Sequence, residues 1–347
     1  MGNKIKENYR SWYLDIDRTD SLQNISEWLE HILRLAILAP SGHNAQPWLF
    51  KIKENYIEVY KNKEKRLEIG DPEDRLMLIS IGCAIANIKV AADYYGFDTQ
   101  IKYLFGDDLV ANMFLTKKIT FVKHEKNLVH YILTRSTNRD KYLKKEIIND
   151  FFVEVTELQK QFNDKVNISW FSDVFSKKQI GEAAAFSASD VMDRKGFLKE
   201  LGKYIKNNLT KSKWGIPAFG MSIPTIPSFV APLIVRFFNM DKINKKSNIS
   251  LFEIYTPTIG VITASEDREM SWVLTGELYE LIALVAEKYK MKTSVWGAPV
   301  VDRPWSLKIK QNLGLDNQVE FIFRIGYPSV TQPHSPRHTL DDVLIKN

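Results

Sequence analysis

The loop at residues 39–48 carries the polar side chains best suited to hold a ring-shaped cofactor. It reads APSGHNAQPW and lies between a helical pattern and a strand pattern. Ser41, Asn44 and Gln46 offer hydrogen-bond donors and acceptors at close spacing. This set suits a ring such as a flavin, whose carbonyls and ring nitrogens lie side by side. An ordinary helix-ending loop with Asx-turn chemistry explains the same composition equally well.

A second candidate group is the run Arg135-Ser136-Thr137-Asn138-Arg139. Two arginines four residues apart at a helix start lie on one face of that helix. A guanidinium can hold phosphate oxygens through two parallel hydrogen bonds, so this pair could bind a phosphate. Two exposed surface arginines are the alternative interpretation.

Motifs of several other chemistries are absent. The sequence has no GxGxxG after a strand pattern, no GxxxxGK[ST], and no CxxC, HExxH or GxSxG. It therefore lacks the signatures of Rossmann, P-loop, zinc and serine-hydrolase sites. His334 and His338 have helical spacing, but Pro336 lies between them, so we expect a solvent-exposed tail and no metal. Cys83, the one cysteine, lies in an apolar run and should be a buried structural thiol.

The composition is that of a globular protein. The chain has 347 residues, of which 44% are hydrophobic and 26% charged, and its net charge is +6. These values predict a sizeable core. No basic stripe with interleaved aromatic residues is present, so we expect no nucleic-acid partner. A single cysteine and the polar N-terminus MGNKIKENYR favour the cytoplasm.

Hydrophobic periodicity and end signals place the candidate groups on elements of an α+β layered fold. Asn24 and Glu27 form a capping-box pattern, and the helix that follows should end at Pro40. The next helix should start within 71–74 and stop at Gly96. Further helices are predicted near 125–134, 146–161, 176–193, 196–209 and 271–290. Strands are predicted near 49–53, 57–61, 100–105, 118–123, 166–171, 258–264 and 319–325.

The two longest predicted helices look like copies of one another. Residues 80–99 can be laid on 275–293 so that Gly82 meets Gly276 and Ile88 meets Ile282. A duplicated unit explains this correspondence. Two amphipathic helices that coincide by chance are the alternative.

The string APSxxNxQPW after a helix resembles a hallmark of the nitroreductase superfamily. The resemblance implies FMN as cofactor, with two flavins at the interface of a homodimer. It further implies that the loop residues contact the flavin, namely Pro40, Ser41, Gly42, Asn44 and Gln46. The run at Arg135 resembles the family's R-R-S-x-R phosphate motif, with Thr134 in place of the first arginine.

The C-terminal part is also similar to the family's ending. Gly326-Tyr327-Pro328 follows the last predicted strand, and Arg337 comes shortly after it. By this resemblance Arg135, Ser136, Arg139 and Arg337 would bind the FMN phosphate. Trp296 and Gly297 would bring backbone amides near the flavin ring.

The order of the motifs suggests a nitroreductase dimer fused into one chain with one flavin site retained. The loop motif lies in the first half, whereas the phosphate motif opens the second. This order resembles the Acg-type branch of the superfamily. We predict an N-terminal extension at 1–24, a first half at 25–125 and a second half at 126–347. A lid insertion would occupy about 196–250.

The uncharged stretch at 215–235 contains four prolines, which argue against a membrane-spanning helix. We expect an apolar loop that caps the flavin pocket. A basic, amphipathic run at 197–213 precedes it, so a protein that binds a membrane surface is a further alternative.

The resemblance implies hydride transfer from NAD(P)H through FMN to a small electron-poor acceptor, such as a nitro compound or a quinone. The flavin would carry the chemistry, so no catalytic side chain is expected. An FMN-binding or storage protein with a closed lid is the alternative. We expect a monomer that acts as a pseudo-dimer, with a small-molecule acceptor and neither nucleic acid nor membrane as partner.

Overall fold

A computed structural model describes residues 6–120 and 127–346. The first part contains a short helix, a long helix and four strands. The strands form two consecutive pairs, one before and one after the long helix. The elements of this part are α1 (Ile25–Ala36), β1 (Trp48–Ile52), β2 (Tyr56–Lys61), α2 (Arg75–Tyr94), β3 (Phe97–Gly106) and β4 (Leu109–Lys117). These strands form one antiparallel sheet in the order β1-β2-β4-β3.

The rest of the chain contains a second sheet of the same size. Its elements up to residue 253 are α3 (Val129–Ile132), α4 (Asn149–Gln159), β5 (Val166–Phe171), α5 (Val174–Asp193), α6 (Phe197–Tyr204), β6 (Ile205–Lys206), β7 (Ile216–Pro217), α7 (Thr225–Ser228), α8 (Ala231–Phe237) and α9 (Met240–Glu253). Those after it are β8 (Thr258–Ala264), α10 (Glu269–Lys288), β9 (Lys292–Val295), α11 (Ala298–Val301), α12 (Arg303–Asn312) and β10 (Gln318–Gly326). The sheet order is β5-β8-β10-β9, again antiparallel. The predicted α+β fold with two pseudo-repeated halves is confirmed.

Helices α2 and α10 cross at two glycines. A Cβ added to Gly82 would lie 2.0 Å from the carbonyl oxygen of Val273, and one added to Gly276 would lie 1.9 Å from that of Ile79. Each contacted residue precedes the opposite glycine by three positions, so the crossing is reciprocal. The backbones touch directly because neither glycine carries a side chain. The pairing of Gly82 with Gly276 therefore reflects a pseudo-symmetric contact between the halves.

Both crossing helices lie in the centre of the core. Helix α2 is long and apolar enough to cross a membrane by composition alone, but 83% of its apolar window is buried inside the protein. Cys83 lies at the crossing, where its Sγ donates to the carbonyl of Gly276 (3.3 Å). Burial raises the pKa of this thiol well above its usual value. The prediction of an inert structural cysteine is thus supported by its position.

The ends of the first two helices differ from the prediction by a few residues. The Asn24 capping box forms as expected, but α1 ends at Ala36. Helix α2 starts at Arg75, because Asp74 adopts a left-handed conformation with φ 61°. Gly96, with φ 77°, ends α2 as predicted.

Three predicted elements were wrong in part. The helix expected near 196–209 ends at Tyr204 and is followed by strand β6. The strand expected near 118–123 is absent from 118–120, and its other residues lie outside the described range. Strand β4 instead occupies Leu109–Lys117, where it pairs with both β2 and β3. The helix expected near 125–134 is only the single turn of α3, and residues 125–126 are not described. The predicted boundary between 125 and 126 also lies outside the described residues.

The lid insertion is largely helical, which corrects the expectation of an irregular loop over 215–235. Pro224 caps the start of α7, and Pro232 lies in the first turn of α8. Proline is tolerated at these positions because the first helical N–H groups have no partner within the helix. Three of the four prolines therefore lie at or within short helices, whereas Pro217 lies in strand β7.

We expect Gly82→Ala to destabilise the protein by about 3 kcal/mol or more, because the new methyl would overlap a backbone carbonyl that cannot rotate away. The unfolding free energy from urea titration measures this effect. Gly106→Ala is the matched control, since nothing lies within 4 Å of a Cβ added there. Equal stability of the two variants would contradict the close crossing.

Candidate functional site

One small cavity brings together most of the residues predicted to bind a cofactor. Seven of them line it: Pro40, Ser41, Asn44, Arg135, Ser136, Arg139 and Arg337. The other lining residues come from the arginine run, the N-terminal segment, the insertion at about 196–250 and the C-terminal tail: Thr137, Trp12, Ile216, Phe219, Gly220, Pro333, His334 and Ser335. The loop motif of the first half and the arginines of the second therefore share one site.

The loop after α1 adopts a strained turn. His43, Asn44 and Gln46 have positive φ values of 48°, 53° and 55°, which only a fixed local structure maintains in residues with a Cβ. Ser41 stabilises the turn, because its Oγ accepts a hydrogen bond from the Gln46 amide (2.9 Å). The loop is therefore a rigid wall of the cavity.

Arg337 lines the cavity, and its guanidinium is hydrogen-bonded to the loop after α1. Its Nη1 donates to Asn44 Oδ1 (2.6 Å), and its Nη2 donates to the carbonyls of Leu38 (3.2 Å) and Ala39 (3.1 Å). The guanidinium also lies over the ring of Trp12, with 4.8 Å to the centroid. Its Nε has no hydrogen-bond partner.

Asn44 is hydrogen-bonded to two segments that border the site. Its Nδ2 donates to the carbonyl of Gly215 in the lid insertion (3.0 Å) and to that of Pro336 in the tail (2.9 Å). Because its Oδ1 also accepts from Arg337, the side-chain amide is fully engaged by protein groups. In this conformation Asn44 holds the lid and the tail in position.

Arg135 has the largest unused hydrogen-bonding capacity. It is buried, and both its Nε and its Nη1 are without hydrogen-bond partners. Glu280 lies 3.4 Å from Nε as an ion pair, but the two do not align for a hydrogen bond. An unsatisfied buried guanidinium is costly, so these N–H groups favour an anionic ligand.

The electrostatics of the cavity are dominated by unbalanced positive charge. Burial raises the pKa of Glu280 to about 7, although Arg135 and Arg337 oppose that rise. Burial and the neighbouring Arg135 together lower the pKa of Arg337 to about 9. The same causes lower the pKa of His334 to about 4, so its ring is neutral at pH 7. Two buried arginines thus face one weakly ionised carboxyl.

Arg139 lies at the exposed side of the cavity. Its Nη1 reaches the carbonyl of Gly220 in the lid insertion at 3.5 Å, a marginal hydrogen bond. Phe219 and Ile216 of the same insertion line the cavity beside it. The residue is exposed, so it can bind an incoming anion without a large change in its own burial.

The four other predicted contact residues do not line the cavity. Gln46 donates to the carbonyl of Lys213 (2.8 Å) and accepts from the backbone amide of His338 (2.9 Å). Its side-chain amide therefore connects the loop to these two segments. Gly42 and Gly297 both abut the side chain of Leu76. Trp296 packs against Phe252, with ring centroids 5.0 Å apart. Flavin contacts by these four residues remain predictions.

Two aromatic rings that line the cavity, those of Trp12 and His334, were not predicted from the sequence. Trp12, from the predicted N-terminal extension, stacks on His334 with 4.0 Å between centroids. Its indole N–H donates to the carbonyl of Ser335 (2.8 Å). The tail is therefore half-buried, which corrects the expectation that His334 and His338 are solvent-exposed. The apolar character of Trp12 beside a polar N-terminus was the available signal. Among the described residues no His, Cys, Asp and Glu cluster could hold a metal.

A second cavity, of about 290 Å³, lies at the start of α2. Arg75 and Arg194 line it together with Asp71 and Glu73. Arg75 is already paired with Asp267 (2.5 Å) and with Glu73 (2.7 Å). Although this cavity is larger, its arginines are neutralised, so the first cavity is the better anion site.

The first cavity fits the phosphate of FMN by its donor set and by its charge. Its volume is about 40 Å³, which is room for a group of phosphate size but not for a flavin ring. Cofactor-sized pockets are on the order of 300 Å³ or more. Binding of a whole flavin would therefore require Ile216 and Phe219 to move away from the loop at Ser41.

Comparison with known proteins gives a family match for the first part of the chain. The sequence profile of the family described as "Putative TM nitroreductase" matches residues 8–92. These residues include Trp12, the loop motif and helix α2 as far as Ala92. Residues 8–92 belong to the nitroreductase superfamily. The resemblance inferred from the loop motif is thus confirmed at the level of the superfamily.

Two curated relatives are similar over a short stretch. They are the "Putative NAD(P)H nitroreductase" proteins MT3217 and Rv3131, from two strains of Mycobacterium tuberculosis. Each is 30% identical to this chain over 76 residues, which is 22% of this chain and 22% of the relative. The match to these nitroreductases spans about a fifth of their length.

Solved nitroreductase structures show a weaker likeness. A nitroreductase-like family protein from Bacillus cereus is 12% identical, with 64% of this chain and 96% of that chain covered and a TM-score of 0.40. The FMN and NADPH-dependent nitroreductase NfnB from sphigopyxis sp. strain HMH is 14% identical, with 64% and 99% covered and a TM-score of 0.42. The family assignment rests on the sequence matches.

We expect Arg139→Ala to weaken FMN binding on the order of 10- to 100-fold, through loss of a charge-assisted phosphate contact. Because Arg139 is exposed, the unfolding free energy should change by less than about 0.5 kcal/mol. Fluorescence titration of FMN measures the affinity. Lys141→Ala, at a nearby exposed cation, is the control and should leave affinity unchanged. An unaltered affinity in Arg139→Ala would mean that this residue is only a surface charge.

Glu280 provides a pH-dependent prediction. Its pKa is raised from 4.5 to about 7, so the carboxyl ionises as the pH rises through 7 and then competes with a phosphate for Arg135. The ratio of the FMN affinity of Glu280→Gln to that of the unmodified protein should therefore rise with pH. The expected rise is on the order of tenfold between about pH 6 and about pH 8.

Glu320→Gln is the matched control for this experiment. Glu320 is also fully buried, and burial raises its pKa to about 8, but it pairs with Arg75 away from the cavity. Its substitution should leave the pH dependence of FMN affinity unchanged. A constant affinity ratio in Glu280→Gln across this range would show that Glu280 does not compete with the ligand.

Proposed function

We propose that this protein is an FMN-dependent NAD(P)H oxidoreductase of the nitroreductase type. The observation that carries the proposal is the buried Arg135, which has unpaired N–H groups and lines a cavity also lined by Ser41. That serine lies in the segment that belongs to the nitroreductase superfamily. A phosphate at Arg135 would lie next to a polar loop suited to a flavin ring.

Each residue of the site would have a definite task. Arg135 and Arg337 would hold the phosphate, and Arg139 would contact it from the exposed side. Asn44 would keep the lid insertion and the tail in place through its three hydrogen bonds. Phe219 would exclude water from the ring. Bound FMN would supply hydride acceptance and release, so the protein needs no acid, base or nucleophile of its own.

The single chain would serve as both subunits of a pseudo-dimer. The loop that contacts the ring comes from the first half, and the arginines come from the second, so one complete site forms per chain. We propose a small electron-poor acceptor, such as a nitro compound or a quinone. The branch assignment, the domain boundaries and the cytoplasmic location remain predictions.

A second candidate function is the binding or storage of FMN with little turnover. The observation that favours it is the cavity of about 40 Å³, which Ile216 and Phe219 line. If these residues pack against the bound ring, a nicotinamide cannot stack on it. Cofactor retention would then be the main property of the protein.

The visible spectrum of the purified protein and anaerobic addition of NADPH test both candidates. The proposal predicts about one FMN per chain, because one loop motif and one arginine cluster form one site. It also predicts that NADPH bleaches the flavin absorbance, and that a quinone restores it. Bound flavin that NADPH does not bleach, although dithionite does, would favour storage. A colourless protein that ignores added FMN would overturn both functions.

A further inference from the structure

The outer side of the lid insertion carries a row of exposed apolar side chains. Seven of the twenty large exposed hydrophobic residues in the described part of the chain lie between 226 and 238. They are Ile226, Phe229, Val230, Leu233, Ile234, Phe237 and Phe238, with exposed fractions between 41% and 86%. A group of this size on one segment is unusual for a surface in contact with water only.

The spacing of these residues is that of one helix face. They recur at intervals of three and four along α7, the turn at 229–230 and α8, and Phe238 directly follows α8. The opposite side of the segment carries small residues, and Ser228 and Ala231 are buried. Helix α8 packs on α6 at Gly202, where an added Cβ would lie 3.2 Å from the carbonyl of Pro232. The helix thus buries its small residues and exposes its large ones, the reverse of an ordinary surface helix.

The charge of the lid insertion is also distinctive. Residues 196–250 contain nine Lys and Arg and two Asp and Glu, a net charge of +7 where the whole chain carries +6. Both acids are engaged within the protein: Glu200 accepts from the amides of Ile69 and Gly70, and Asp241 accepts from Asn248. Arg236, Lys242 and Lys246 are exposed near the apolar row.

We propose that α7 and α8 dock on the surface of an anionic lipid bilayer. The apolar row would enter the boundary between headgroups and acyl chains, and the surrounding cations would bind the anionic headgroups. The positive charge of the insertion favours this occupant over a second copy of the chain, because two such surfaces would repel each other. This inference differs from our expectation, drawn from the sequence, of no membrane partner.

Flotation of the purified full chain with vesicles tests the proposal. The protein should float with vesicles of phosphatidylcholine and phosphatidylglycerol, and more weakly with phosphatidylcholine alone. High salt should reduce the difference between the two. The double variant Leu233→Gln/Phe237→Gln should bind the anionic vesicles at least about tenfold more weakly, because it removes two apolar anchors.

The control is Leu143→Gln/Val153→Gln, which removes two exposed apolar side chains from other parts of the surface. It should float like the unmodified protein. Equal flotation of both double variants, or absence of flotation in the unmodified protein, would overturn the proposal. Light scattering that shows a dimer disrupted by Leu233→Gln/Phe237→Gln, without vesicle binding, would assign the surface to a second copy. None of these readouts depends on FMN.

Discussion

The contact between α2 and α10 at Gly82 and Gly276 sets the geometry of everything else in the molecule. Because an added methyl at either glycine would overlap a backbone carbonyl, the two helix axes lie as close as backbones allow. The two antiparallel sheets flank this crossing, one from each part of the chain. A wider crossing would separate the loop after α1 from the arginines of the second half. The two groups that form the site would then no longer share one cavity.

The site itself depends on an imbalance of charge that the protein does not neutralise. Arg135 and Arg337 are buried together, and the carboxyl of Glu280 lies close to both. Burial raises the pKa of that carboxyl to about 7, so it is only partly ionised at neutral pH. Uncompensated buried charge lowers stability, so the arrangement has a physical rationale if an anion from outside completes it. The phosphate of a cofactor meets this requirement.

The parts of the structure fixed by local patterns could be predicted from the sequence. Strand β5 follows from alternation, strand β8 from a short apolar run, the Asn24 helix start from a capping box and the stop at Gly96 from glycine chemistry. The seven predicted residues that line the cavity could be named because the loop motif, the arginine run and the C-terminal ending all resemble one family. The ties of Gln46 and Asn44 to the lid insertion could not be predicted, because their partners are distant in sequence. Helices α7 and α8 were not predicted, because proline in the interior of a helix breaks it. Proline also occurs at the start of helices.

The N-terminal segment meets the tail at the same cavity. The amide of Arg337 donates to the carbonyl of Asn8 (2.9 Å), and the side chain of Asn8 donates to the carbonyls of Thr210 (3.1 Å) and Ser212 (3.0 Å). Segments more than 300 residues apart thus complete one site. During synthesis a nascent chain cannot assemble this cavity until Arg337 has left the ribosome. A cofactor bound in this cavity would therefore be captured only by chains whose synthesis has passed this residue.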